Sequence, residues 1–347
     1  MKKKTSIKDV ARYAGVSPST VSAVVNNNVG KGIRVGKETQ EKIRKAVKDL
    51  GYMPSPAAQS LVTGISHIIS VFTYEAAFPF AAESEFYSFL LGIEKKAEIT
   101  GFDLLLITNK KFRTETDRQE QVDLNRLKLG DGGILIGIKR HTETLLRLID
   151  DGFPLVFIGR RDMMGRKVNM VNYDYDSIIF ELVKYSYNLG HKKVSYIRKL
   201  GNQEPYEDRQ KALNTSMDYW PELSCRTIIL EDSLTSMDIE ACMSQGITLF
   251  FLERKSLAIR LQELCNEMGL TLGEDISAVL LEDQWFSSDI QWTCWSNVRD
   301  ELGKMSVALL NDIISAVSNE PITRRIVPDL VKGETIRSIS FTLRSKS

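Results

Sequence analysis

The chain has 347 residues, 43% hydrophobic and 26% charged, the composition of a folded globular protein and enough length for a small domain plus a large one. Its net charge of +1 conceals a division: residues 1–64 hold twelve Lys and Arg against four Asp and Glu, a net of +8, while the rest hold 34 against 41, a net of −7. A basic head on an acidic body marks the head as the part that meets a polyanion, and the longest apolar runs, such as Ile134–Ile138 and Thr248–Leu252, are far too short to cross a bilayer, so no membrane role is expected.

Met1–Lys4 leads into a mixed polar helix rather than an apolar core, which argues against a signal peptide and for the cytoplasm. Ser6 is a good N-cap, with Asp9 three residues on as in a capping box. Ile7, Val10, Ala11 and Ala14 form one apolar face of a short helix that Gly15 ends. Ser17 caps a second helix, with Pro18 at its first position and Val21, Val24 and Val25 facing inward. Two short helices joined by a tight Gly-Val turn make a helix-turn-helix, whose second helix lies in the major groove of DNA. A third helix is predicted from about Lys37 to Leu50, with Ile43, Ala46, Val47 and Leu50 on its core side and Gly51 as the stop. Ser55-Pro56 opens another short segment through Ala57–Leu61 that would be marginal as an isolated helix.

From Ile65 onward the pattern changes to short apolar strands alternating with amphipathic helices. Strands are expected at His67–Phe72, Asp103–Thr108, Ile134–Ile138, Leu155–Ile158, Val194–Ile197, Thr227–Leu230, Leu249–Leu252 and Ala278–Leu281. Helices are expected at Phe86–Ile99, Glu115–Leu129, Leu257–Met268 and Leu302–Val317. This alternation predicts an α/β fold of two doubly wound parallel-sheet subdomains with a ligand cleft at the strand ends. The four cysteines show no CxxC pair and read as reduced thiols, and the three histidines lack metal-ligand spacing. No nucleophile with its base, metal cluster or phosphate loop is visible, so neither an enzyme nor a cofactor is expected; Gly130-Asp-Gly-Gly133 lacks the lysine and hydroxyl of a P-loop.

The stretch Ser6-Ile-Lys-Asp-Val-Ala-Arg-Tyr-Ala-Gly-Val-Ser-Pro-Ser-Thr-Val-Ser-Ala-Val-Val-Asn26 resembles the head of the lactose repressor (LacI) family, with galactose-repressor-like features. Leu50-Gly-Tyr-Met-Pro54 and Ala57-Ala-Gln-Ser-Leu61 match that family's junction between headpiece and hinge. Gly101-Phe-Asp-Leu-Leu-Leu, Asp131-Gly-Gly-Ile-Leu-Ile, Gly190-His-Lys-Lys-Val-Ser-Tyr-Ile197, Glu274-Asp-Ile-Ser-Ala-Val279 and Pro328-Asp-Leu-Val331 continue the resemblance through the core in the family's order. It implies a three-helix helix-turn-helix headpiece (1–54), a hinge helix (55–64), a periplasmic-binding-protein-like effector-binding and dimerisation core (65–340) and a short tail (341–347).

The resemblance also assigns residues. Pro18, Ser19, Thr20, Ala23 and Asn26 are the expected exposed side of the recognition helix. Ser17, Thr20, Ser22 and Asn26 suit phosphate oxygens, or else are caps and plain surface. Ser6, Lys37 and Tyr52 complete the expected headpiece contacts. Many family members carry arginine where this chain has Ala23, and a methyl group can only touch thymine or leave room. The stretch from Asn26 to Thr39 runs about four residues longer than is usual in the family, so that Arg34 either adds a phosphate contact or sits on a slack loop. Ala58 and Leu61 belong to a hinge that forms on DNA, with Leu61 either wedged between base pairs or packed on the core. In the core, Arg209 and Glu282 are the expected effector ligands, or else a surface salt bridge; Asp174 and Phe80 are expected beside them. The chain departs from the family pattern at Glu253-Arg254, where Asn-Asp is usual, and at Leu280-Leu-Glu-Asp283, where Gly-Phe-Asp-Asp is common. These changes leave a sugar or related metabolite as the effector class without fixing it.

Taken together, the resemblance implies a regulator, a repressor in preference to an activator, that binds double-stranded operator DNA as a homodimer and answers to a small-molecule effector. The alternative is a regulator of the same family controlled by a phosphorylated protein partner. No heptad repeat follows Thr335, so a tetramerising coiled coil is not expected.

Overall fold

A computed structural model describes residues 5–26, 34–53, 64–73, 86–108, 124–137, 142–201, 204–315 and 320–339. The chain divides into two compact units, Met1–His67 and Ile68–Ser347. In the first, α1 (Ile7–Ala14), α2 (Pro18–Val25) and α3 (Lys37–Asp49) surround a core of Val10, Ala11, Val21, Val24, Ile43 and Ala46. The Ser6 hydroxyl accepts the Asp9 N–H and the Asp9 carboxylate accepts the Ser6 N–H at 3.0 Å, which satisfies orphan donors at both ends of the capping box. Gly15 takes a left-handed φ of 68°, and its N–H closes back on Ala11, so the chain can turn directly into α2.

The second unit opens with β1 (Ile68–Thr73), α4 (Tyr87–Thr100) and β2 (Asp103–Thr108). A 3₁₀ turn at Leu124–Leu129, β3 (Gly132–Ile136), α5 (Thr142–Asp150), β4 (Leu155–Ile158) and β5 (Met170–Tyr173) follow. After these come α6 (Tyr175–Asn188), β6 (Lys193–Lys199), α7 (Glu204–Met217), β7 (Ser224–Leu230), α8 (Ser236–Ser244), β8 (Leu249–Leu252), α9 (Lys255–Glu267) and β9 (Ser277–Leu280). The short β10 (Cys294–Trp295), α10 (Arg299–Ile314), β11 (Thr323–Ile326) and β12 (Leu330–Val331) complete the described elements. The strands form a parallel six-stranded sheet, order β11-β5-β4-β3-β1-β2, and a parallel four-stranded sheet, order β7-β6-β8-β9. β10 and β12 pair antiparallel as a separate ribbon.

Each large sheet is buried on both faces, as parallel sheets require. Ile134 and Ile136 point to one side, with α4 and α10 residues such as Ile93 and Leu310, while Leu135 points to the other, with Leu145 and Leu148 of α5. Phe250 and Phe251 divide the second sheet in the same way, toward α9 and α6 respectively. Two glycines bring α4 and α10 into near backbone contact: a Cβ on Gly92 would lie 1.9 Å from the Asp300 carbonyl oxygen, and one on Gly303 2.3 Å from that of Phe89. This crossing fixes α10, and with it Arg299 at its start, against the first sheet.

The two doubly wound subdomains follow the expected α/β class. The third expected strand is shifted two residues toward the N-terminus, and of the helix expected at Glu115–Leu129 the described part is the 3₁₀ turn; the rest lies outside the described residues. So do the hinge residues Ala58 and Leu61, the tail, and Phe80.

Candidate functional sites in the head and the core cleft

In the head, Ser17 caps α2 by accepting the Thr20 N–H at 3.2 Å, and its hydroxyl lies 2.7 Å from that of Ser19 and 2.8 Å from that of Thr20. Ser17, Pro18 and Ser19 are exposed, so the first turn of α2 presents hydroxyls at a capped helix start, groups suited to a phosphate or a base edge. Thr20, Ser22 and Asn26 are partly exposed, and the Asn26 amide donates to the Ser22 hydroxyl at 3.1 Å. Ser6 is exposed but committed to its capping box, whereas Arg34 and Lys37 are exposed cations. Tyr52 packs partly buried against the three-helix core. Ala23 corrects the expectation: it is 5% exposed rather than on the open side of α2.

In the core, the ends of β3, β4, β5, β8 and β9 and the starts of α7 and α10 enclose a cleft of about 150 Å³. Its apolar wall includes Phe86, Phe89, Ile158, Tyr175, Trp295 and Leu302, and four arginines line it: Arg161, Arg209, Arg254 and Arg299. Arg209, from α7, is 8% exposed and donates through Nη1 to the Glu253 carboxylate at 2.8 Å and the Glu253 carbonyl at 2.7 Å. Its guanidinium lies over the rings of Tyr175 and Trp295, at 5.3 and 5.7 Å from their centroids. The expected pair of Arg209 and Glu282 is therefore at a cleft, and the surface salt bridge is replaced by a buried pair with Glu253. Glu282 accepts the Lys255 N–H at 2.9 Å and reaches Arg299 at 3.4 Å, while both oxygens of Asp283 accept from Arg299 at 2.8–3.0 Å. Asp174 is not in the cleft wall; its side chain caps α6 by accepting the Ser177 N–H, a use set by the orphan donors of that helix.

Arg299, Trp295 and Tyr173 line the cleft but carry no signal of that role in the sequence; Arg254 and Asp283 are marked only by the departures at Glu253-Arg254 and Leu280–Asp283, where Glu253 pairs with Arg209 and Arg254 faces the cleft. Arg299 and Asp283 are sixteen residues apart, and only the fold brings them together.

Burial pushes the Glu253 carboxyl up to about 7, against the opposing pull of Arg209 and the hydroxyl of Tyr196 that donates to it. A carboxyl raised in the fold binds its proton more tightly there than in the open chain, so it stabilises most at low pH and loses that contribution as pH rises to about 7. The stability of the native protein relative to Glu253→Gln is therefore expected to fall between about pH 4.5 and pH 7 and to level off above. Urea titrations at pH 5 and pH 8 measure this; a difference independent of pH would contradict it.

The family profile described as "Bacterial regulatory proteins, lacI family" matches residues 6–55. The chain is 25% identical, over 96% of its length and 99% of that protein, to "HTH-type transcriptional repressor PurR" of Vibrio vulnificus. It is 28% identical to "HTH-type transcriptional regulator MalR" of Staphylococcus xylosus, over 59% of its own length and 58% of that protein. In structure it resembles the lac repressor dimer bound to operator and the anti-inducer ONPF, with a TM-score of 0.73 at 21% identity over 96% of this chain and all of that one. It also resembles the regulator CelR in complex with cellobiose, with a TM-score of 0.61 at 19% identity over 96% of this chain and all of that one.

Proposed function

Because the chain is a DNA-binding transcriptional regulator of the lacI family, we propose that it represses transcription by binding a near-palindromic operator as a homodimer, with its grip on DNA set by a small molecule in the core cleft. One headpiece reads too few base pairs for specificity, and a two-fold dimer reads two half-sites. The first turn of α2 enters the major groove, and Arg34 and Lys37 meet phosphates. The hinge at 55–64 orders on DNA and inserts Leu61 into the minor groove. The ligand acts by changing how the two halves of the core close on each other, which favours or opposes the paired hinges.

The observation that carries this reading is the cleft itself. A buried arginine stacked on two aromatic rings, with an open cavity beside it, is arranged for a ligand rather than for packing. A thermal-shift screen of sugars, sugar phosphates and nucleosides tests it, since a ligand that binds the native state at about 100 times its Kd adds about 2.7 kcal/mol to stability. A compound found this way should also change operator affinity, and Arg209→Ala combined with Glu253→Gln, which leaves no buried carboxylate without its cation, should abolish that response while leaving operator binding within about threefold of the native value. A variant that responds normally would move the effector site elsewhere.

A further inference from the structure

The cleft's polar groups are unevenly committed. Every oxygen of the Glu282 and Asp283 carboxylates accepts a hydrogen bond from Arg299 or from the Lys255 backbone, so the acidic side of the cleft is already engaged within the protein. Glu253 is fully buried behind Arg209 and does not line the cavity. The donors are in the opposite state. The Arg209 Nε, the Trp295 Nε1 and the Tyr173 hydroxyl are all buried and make no hydrogen bond with the described residues. Arg254 lines the cleft, partly exposed, with its guanidinium 5.6 Å from the centre of the Tyr206 ring and no carboxylate against it among the described residues. A neutral polyol needs donors and acceptors in similar number, whereas among the described residues this wall offers, besides the Asn172 amide, three unspent donors and, at Arg254, a cation with no carboxylate against it. The cavity of about 150 Å³ is of the size that admits a single six-membered ring.

We infer that the effector is a ring-sized organic anion whose carboxylate or phosphate is held by Arg254 and the Arg209 Nε, while its body lies against Trp295, Tyr175 and Phe89. This rests on the reading of the cleft as the effector site and adds the charge class of the ligand and a second recognition residue, Arg254. Trp295 and Tyr173 then supply the remaining donors to the oxyanion or to a ring substituent.

Isothermal titration of the full-length protein, at fixed ionic strength, with benzoate, glucuronate and glucose 6-phosphate against benzyl alcohol and glucose tests the proposal and separates a carboxylate from a phosphate. At least one anion should bind tenfold or more tightly than its neutral counterpart. Arg254→Gln should weaken that binding at least tenfold; the side chain is partly exposed and makes no ion pair among the described residues, so the variant keeps its fold, whereas truncating Arg209 strands Glu253. A neutral counterpart that binds as tightly as the anion, an anion indifferent to Arg254→Gln, or silence from every anion overturns the proposal. If the neutral compounds bind and release operator, the effector reading stands without it; silence from the whole panel removes both.

Discussion

Raising salt from 50 to 200 mM is expected to weaken operator binding by on the order of a thousandfold or more, the response of a protein that neutralises six to ten phosphates. The premise is the +8 charge of residues 1–64, doubled in a dimer, set against an acidic remainder that repels the same backbone. Neutral hydroxyls such as those of Ser17, Ser19 and Thr20 displace no counterions whatever they touch, so the slope reports the lysines and arginines alone. Lys37 is an exposed cation of the head and a candidate for such a contact. Replacing it with Gln should lower the log–log slope by about 0.9 for each phosphate left without its cation, and by similar amounts on operator and unrelated DNA. Fluorescence anisotropy on labelled duplexes at four or five salt concentrations gives both slopes. A flat response would remove the head as the DNA-binding element.

Arg299→Met should destabilise the core by about 3–5 kcal/mol, because it leaves the carboxylates of Asp283 and Glu282 buried without their cation. Asp283 is 1% exposed and Arg299 4%, so the pair is largely withdrawn from bulk solvent. Burial already raises the Asp283 carboxyl against the pull of Arg299, and in the variant protonation would be its main relief. Adding Asp283→Asn to Arg299→Met should therefore recover a large part of the loss. The pair also joins the two halves of the core: Arg299 begins α10, which packs on the first sheet, and Asp283 follows β9 of the second. Arg160 makes a second such link, to Asp208 at 2.7 Å and Glu207 at 2.8 Å on α7. Urea unfolding of the single and double variants measures the cost. A loss below about 1 kcal/mol in the single variant, the range of exposed pairs, would show that this ion pair carries no closure energy.

Much of the fold is legible in the sequence because its signals are local. The Ser6 cap, Gly15, Ser17 and Pro18 each act within four residues, and they delimit α1 and α2 without reference to the rest of the chain. Apolar runs such as Leu155–Ile158 and Leu249–Leu252 read directly as buried strands. Where tertiary packing decides, sequence patterns mislead. β3 begins at Gly132 and Gly133, residues with poor strand propensity, because a side chain there would strike Leu310 of α10 and Leu155 of β4. β11, with the sequence Thr-Arg-Arg-Ile, has no apolar alternation and is a strand only because β5 offers it an edge. The site divides likewise: Arg209 and Glu282 follow from the family resemblance, but Ala23 is buried, Asp174 is a cap, and the Arg299–Asp283 pair carries no local signature.

The position of β11 sets an order of assembly on the ribosome. The first sheet takes its last strand from Thr323–Ile326, after the whole of the second sheet, Lys193 to Leu280, has been made. At about 5–20 residues per second, the interval between the emergence of β5 and that of β11 is roughly 8–30 s. During it the nascent chain holds an open edge at Met170–Tyr173 while the later-made half has all its strands to hand and can close first. The half of the core that is synthesised first is thus the half that finishes last, and crowded polysomes, rather than the released protein, are where its unpaired edge meets other chains.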